Sequence, residues 1–164
     1  MNKILFIITG SIAASRCKEI IALLNINEVK ISCILTKEAK KYVKISDIKK
    51  LLKNRIFTDE DEKKNKMLHI NLSRDNDIIV MCPATANSIA KFANGYGDNL
   101  ASNTLLASNK KILFVPAMNS FMWHNKINQK NVRLLKDSGH EFIGPTVGNL
   151  KCGEFGLGRI DNSK

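Results

Sequence analysis

Aromatic residues are scarce in this chain: 6% of 164 positions, with one tryptophan, two tyrosines and seven phenylalanines. Proline occurs three times and cysteine four times, and acidic residues number 15 against 26 basic ones. Long apolar runs are missing. Each shortage excludes something. Cys17, Cys33, Cys82 and Cys152 form no C-x-x-C pair and no zinc-type spacing with the three histidines, which argues against a disulfide framework or a metal site. Without an arginine-rich stripe carrying interleaved aromatics, the formal charge of +11 does not read as a nucleic-acid surface; it suits an anionic small substrate or a phosphate-bearing cofactor. The opening "MNKILFIITGS" imitates a signal peptide, but its apolar run is too short and no small-residue cleavage pattern follows. No other run approaches membrane-spanning length. The expectation is a cytoplasmic protein with no membrane and no nucleic-acid partner.

What is present is ordinary globular material, 44% hydrophobic and 25% charged, long enough for one domain over residues 1–164 with its own core. Four runs predict strands: "KILFIIT" (3–9), "VKISCIL" (29–35), "DIIVMC" (77–82) and "KILFV" (111–115). They are nearly continuous in Ile, Val, Leu and Phe, the pattern of strands buried on both faces of a parallel sheet. Cys33 and Cys82 lie within these runs and read as core. Ala13, Cys17, Ile20, Ile21 and Leu24 recur at helical spacing, and a second helical pattern runs over 125–138 with Gly139 placed to end it. The segment "RIFTDEDEKKNKM" (55–67) reads as a solvated loop. Alternating strands and helices predict a three-layer α/β/α, Rossmann-like (flavodoxin-like) parallel sheet.

Ligands of open α/β sheets bind outside the carboxyl ends of the strands. The residues just beyond each predicted strand are therefore the first candidates: Gly10, Ser11 and Ile12; Thr36; "PATANS" (83–88); and "PAMNSFMW" (116–123). Gly10 permits a tight turn, Ser11 can cap a helix, and a helix start offers unpaired N–H groups to a phosphate. Thr36, Thr85, Asn87 and Ser88 add hydroxyl and amide groups on the same edge. Asn119 is polar in an otherwise apolar loop and has no packing role to explain it. Met118, Met122 and Trp123 read as packing, and His124 and His140 as surface or turn residues. "VGNLKCGEFGLGR" (147–159) sets Cys152 among four glycines.

"PATANS" and "PAMNSFMW" match P-[AL]-[ST]-A-N and P-x-M-N-x-x-M-W, and "KCGEFGLGR" is close to A-C-G-x-x-G-x-G-R, with Lys151 in place of alanine. With "GSIAA", "HINL" and "NGYGDNL" upstream, the chain resembles the flavin-containing cysteine decarboxylases from Lys3 to Ile160. The resemblance implies an FMN site at Gly10, Ser11 and Ile12, at Thr36, Lys37 and Glu38, at Thr85, Ala86, Asn87 and Ser88, and at Ala117. It implies that Asn119 binds the substrate carboxylate, that His69 is the acid–base residue and that Cys152 is the proton donor. Asn149, Lys151 and Ile160 would contact the remainder of the substrate.

The implied activity is decarboxylation of 4'-phosphopantothenoylcysteine to 4'-phosphopantetheine in coenzyme A biosynthesis. It runs through oxidation by FMN to a thioaldehyde, loss of CO2 and re-reduction. Gly153, Gly156 and Gly158 would let the cysteine segment close over the substrate. A homotrimer or a dodecamer of trimers is implied, with the flavin at a subunit interface. Many relatives continue into a phosphopantothenate–cysteine ligase domain; these 164 residues do not contain one, which points to a separate ligase chain or a longer protein. Peptidyl-cysteine oxidative decarboxylases stop at the enethiol and lack the reductive cysteine. Flavin prenyltransferases lack P-x-M-N-x-x-M-W. Non-catalytic phosphatase-binding relatives lose catalytic residues or carry acidic tails. These are the alternatives.

Overall fold

The computed structural model describes residues 3–26, 29–53 and 55–160. A six-stranded sheet is built from β1 (Lys3–Ile8), β2 (Lys30–Leu35), β3 (Ile56–Phe57), β4 (Ile78–Ala84), β5 (Ile112–Pro116) and β6 (Glu141–Phe142). Its spatial order is β3-β2-β1-β4-β5-β6, and every pairing is parallel. This is the doubly wound order, with the direction of winding reversing between β1 and β4. The four predicted strands are all present. Strands β3 and β6 escaped prediction because two residues carry no periodicity.

Period-two alternation sorts the strand residues between two cores. Phe6, Ile8, Cys33, Leu35 and Cys82 face α1 (Cys17–Ile26) and α2 (Ile45–Leu52), where Cys17, Ile21, Ile48 and Leu52 are buried. Leu5, Ile7, Ile34, Ile79 and Phe114 face the other way. They meet Leu72 of α4 (Leu68–Asp75), Ile89 of α5 (Ala86–Ala93), Leu105 of α6 (Leu100–Leu106) and Val132 of α8 (Lys126–Asp137). The α8 boundaries follow the sequence: Asn125 caps its start by accepting the Ile127 N–H, and Gly139, at φ +90°, lies just past its end. The first helical segment opens as a 3-10 helix, Ile12–Arg16, before α1 takes over.

Residues 55–67 are not a loop. They hold β3 and then α3 (Asp59–Lys64), whose start is closed by the Asp61 carboxylate accepting from both the N–H and the hydroxyl of Thr58. Four acids in the first turn suit the positive end of the helix dipole. Nothing on α3 is buried, so no apolar stripe announced it. The Asp59 carboxylate also accepts the Leu100 N–H at 2.9 Å, tying α3 to the start of α6. Among the described residues no helix is long and apolar enough to cross a membrane.

His140 is not a plain surface or turn residue. Its ring lies 5.3 Å from Phe92 and 6.1 Å from Phe114, and its Nδ1 accepts the Ile112 N–H at 3.3 Å. That bond needs a neutral ring, and burial lowers the His140 pKa in the folded chain. A lowered folded value means that the unfolded chain takes up the proton first. The contribution is therefore complete above the ordinary histidine range and is lost as pH falls through it toward the folded value. Urea midpoints measured from about pH 7.5 to about pH 5 should fall, and His140→Phe should flatten the slope. An identical slope in the variant would exclude His140 as its source.

Candidate active site

With all strands parallel, the loops after β1, β2, β4 and β5 gather on one edge, and the reversal between β1 and β4 opens a crevice there. Thr9 closes its floor, donating its hydroxyl to the Pro83 carbonyl at 2.5 Å. On the β1 side, Ser11 is extended and its Oγ accepts the Ala13 N–H at 3.2 Å. A Cβ on Gly10 would stand 2.4 Å from the Glu38 Cβ and 3.0 Å from its backbone carbon. The β1 and β2 loops touch backbone to backbone, and only glycine permits it.

On the β4 side, Thr85 caps α5: its Oγ1 accepts the Ser88 N–H at 3.2 Å and lies 2.9 Å from the Ser88 hydroxyl. That cap takes the Ser88 N–H and leaves the Ala86 and Asn87 amides beside the crevice without helical partners, an arrangement suited to an anion. Thr36 is less available than its position suggests, since its hydroxyl donates to the Ile8 carbonyl at 3.1 Å.

Two cavities share a wall of Ser11, Ala117 and Met118. One, of about 560 Å³, is lined by Gly10, Ser11, Thr36, Lys37, Glu38, Thr85, Ala86, Asn87, Ser88 and Ala117, so every expected FMN residue except Ile12 meets in one place. It also takes in Asp59, Lys91, Asp98, Asn99 and Met122, which sequence reasoning missed. Lys91 and Asp98 pair at its edge, and the Lys91 hydrogen bond holds the Asp98 carboxyl below the usual range. The "NGYGDNL" match was the one signal for Asp98.

The other cavity, of about 530 Å³, is lined by Ile12, Asn119, Asn149, Lys151, Cys152 and Ile160, together with Arg16 and Arg159. Three cations and no carboxylate line it. Arg16 and Arg159 were also missed; Arg159 closes the glycine-rich cysteine motif, which was its one signal, and nothing local points to Arg16.

The cysteine segment is an antiparallel hairpin, β7 (Thr146–Asn149) with β8 (Phe155–Arg159), and Cys152 is exposed at its tip. Its glycines serve contact more than freedom. A Cβ on Gly158 would stand 2.0 Å from the Met118 carbonyl oxygen, and one on Gly156 2.3 Å from the Ser120 Oγ. The Met118 N–H donates to the Gly158 carbonyl at 3.0 Å, so the hairpin is stitched to the loop after β5. Only Gly153, at φ +88° in the turn, uses the left-handed conformation that favours glycine.

Asn119 does have a structural role. It caps α7 (Ser120–His124), with Oδ1 accepting the N–H groups of Phe121 at 2.8 Å and Met122 at 3.4 Å. This fixes the amide so that Nδ2 points to the hairpin, 3.6 Å from the Cys152 Sγ and 2.5 Å from Glu154 Oε2. Met122 is half exposed rather than packed. His69 is not brought to this group: on α4, its Nδ1 lies 2.7 Å from Glu62 Oε1, out of line for a hydrogen bond, and it lines neither cavity. The remaining thiols are inert by placement. Cys17, Cys33 and Cys82 are buried, and burial pushes the Cys33 thiol far up.

The model of the Flavoprotein family matches residues 1–164. The chain belongs to that family. A probable phosphopantothenoylcysteine decarboxylase of Streptococcus mutans is 32% identical over 163 residues, covering 97% of this chain and 91% of the relative. The coenzyme A biosynthesis bifunctional protein CoaBC of Haemophilus influenzae is 36% identical over 155 residues, covering 93% of this chain and 39% of the relative. The chain thus spans about two fifths of the bifunctional protein's length. A PPC decarboxylase mutant complexed with pantothenoylaminoethenethiol has a TM-score of 0.88 at 29% identity, covering 98% of this chain and 91% of that one. The FMN binding protein AtHal3 gives 0.87 at 28%, covering 98% and 90%. These flavoproteins share the doubly wound sheet described above.

The hairpin stitching is testable. Gly158→Ala drives a Cβ into a backbone carbonyl that cannot swing aside, with an expected cost of about 1–3 kcal/mol. A lower melting temperature together with faster hydrogen exchange at the Met118 amide is expected. Wild-type exchange at that amide would show that the hairpin is not held there.

Proposed function

We propose that this flavoprotein is an FMN-dependent decarboxylase that converts 4'-phosphopantothenoylcysteine to 4'-phosphopantetheine in coenzyme A biosynthesis. The observation that carries the reading is the meeting of Asn119 and Cys152 at 3.6 Å, in a cationic cavity that shares a wall with a phosphate-type cradle. The residues fit the cofactor. The N-terminus of α5 with Thr85 and Ser88 would hold a phosphate, the Gly10–Glu38 contact keeps a side chain out of the crevice, and Ala117, small and buried, would leave room for a flat ring. When bound, FMN supplies a hydride acceptor and donor.

The chain's own groups do the rest. Asn119 Nδ2 donates to the substrate carboxylate, and its amide is oriented in advance by the capping bonds on Oδ1. Cys152 then stands beside the reacting carbons and gives up the thiol proton that the reductive half requires. Arg16, Lys151 and Arg159 attract the phosphorylated end, with Asn149 and Ile160 lining its path. A peptidyl-cysteine decarboxylase has no use for that cysteine.

His69 acts from a neighbouring copy. The site is completed at the interface of a homotrimer, alone or as four trimers in a dodecamer. Phe121 and Ile127 support this: they are 79% and 74% exposed in the single chain, large apolar side chains that a second copy would cover. The flavoprotein domain over 1–164 is cytoplasmic, and a separate chain or a further domain supplies the ligase step.

Mass spectrometry of the reaction decides the central claim. The yellow wild type should release product lighter by CO2 alone, whereas Cys152→Ser should yield a species lighter by CO2 and two hydrogens. A wild type that holds FMN and leaves this substrate untouched would reject the assignment, and peptide cysteines would be tried next. Asn119→Asp should stay yellow and lose turnover, because like charges repel; a colourless protein would make Asn119 a cofactor residue instead. His69→Ala and Cys152→Ser subunits, each deficient alone, should regain turnover when co-expressed. No recovery would place both residues in one chain's site.

A further inference from the structure

Asn119 Nδ2 is already occupied by a carboxylate of this chain. Glu154 Oε2 sits 2.5 Å from it, two residues beyond Cys152 on the same hairpin, and the same Nδ2 lies 3.6 Å from the Cys152 Sγ. Glu154 is exposed and has no buried side-chain packing to hold it there. The contact is a hydrogen bond from an amide to an ionised group, the bond a substrate carboxylate would make. The amide has two N–H donors and both are taken, one by Glu154 Oε2 and one by the Cys152 Sγ, while Oδ1 accepts the Phe121 and Met122 N–H groups, so a ligand carboxylate has to displace a partner that the hairpin supplies.

From this geometry we infer that Glu154 is an internal stand-in for the substrate carboxylate, a latch that holds the hairpin tip on Asn119 until a carboxylate-bearing ligand displaces it. The inference rests on the reading that Asn119 binds the substrate carboxylate. Substrate entry exchanges one carboxylate for another on Nδ2 and frees the tip that carries Cys152. Loss of CO2 removes the competitor, and Glu154 returns. The hairpin is attached elsewhere by the Met118–Gly158 bond and the close approach at Gly156, so the latch moves the turn rather than the whole hairpin. Glu154 is a positioning residue with one consequence peculiar to it: it opposes ligands that carry the carboxylate and leaves alone those that lack it.

The test compares Glu154→Ala and Glu154→Gln with wild type as FMN-loaded protein. An exposed ionic hydrogen bond of this kind corresponds to about a two- to fivefold change. The KM for 4'-phosphopantothenoylcysteine should fall by that factor in both variants, and the inhibition constant of 4'-phosphopantetheine, which has no carboxylate, should not follow it. A KM that stays or rises in both variants, or product inhibition that tightens equally, overturns the latch. A second readout does not depend on turnover. The Asn119 side-chain amide signals in ¹⁵N NMR should shift in Glu154→Gln, and N-acetylcysteine should move them at lower concentration in Glu154→Ala than in wild type, with N-acetylcysteamine inert. Unchanged amide signals overturn the latch even in an active enzyme. Shifted signals in a protein that ignores phosphopantothenoylcysteine would uphold the latch while rejecting the substrate.

Discussion

Strand β1 is paired in parallel with β2 on one side and β4 on the other, Phe6 opposite both Cys33 and Val80. From that pairing comes the edge on which every functional loop ends. Because the chain winds outward in opposite senses from the two sides of β1, no crossover covers the gap between the β1 and β4 loops. The helix after each strand begins at the crevice rather than across it. Peptide N–H groups at the start of α5 and the hydroxyls of Ser11, Thr85 and Ser88 accordingly converge on one space. The strands themselves contribute no chemistry; their continuous burial makes the edge rigid enough to position the loops at their carboxyl ends.

The hairpin adds the second half of the site by a different device. It has little core of its own and is held by backbone proximity, with Gly158 against the Met118 carbonyl and Gly156 against the Ser120 hydroxyl. Side chains at those positions would lift Cys152 away from Asn119. The motif's glycines therefore set the distance between the Asn119 and Cys152 side chains, and only Gly153 serves the turn itself. Asn119 shows a comparable economy. One side-chain oxygen starts α7, and the constraint this imposes aims the nitrogen of the same amide at the hairpin. Local capping and contact with the hairpin use opposite ends of one group.

Charge is divided between the two cavities in a way the net value of +11 conceals. In the cradle below Thr85, Lys91 is neutralised by Asp98, and Lys37 is accompanied by Glu38. In the hairpin cavity, Arg16 is paired with Glu19 at 3.0 Å, and Lys151 and Arg159 add two further cations to the wall. Attraction for an anionic ligand is thus concentrated where a phosphorylated substrate would enter, and the cofactor cradle relies on helix amides and hydroxyls. Thiols are divided in the same manner: three are in the core, one is at the hairpin tip.

The sequence by itself determined the four long strands, because apolar runs buried on both faces leave no other reading, and it determined the edge on which the loops after them gather, because parallel strands end together. The residues that the motif resemblance names around Thr85 line one cavity for the same reason: each lies directly after a strand. Tertiary structure alone decided the rest. Strands β3 and β6 are too short to show a period, and α3 buries nothing, so its acids looked like a solvated loop. Arg16 and Arg159 reach one cavity only through the docking of the hairpin on the β5 loop. The same docking brings Glu154 to Asn119 across 35 positions in the chain, a contact that no local spacing encodes. His69 lies in the stretch that carries the resemblance, yet α4 holds it outside both cavities, a placement decided by packing and not by the motif.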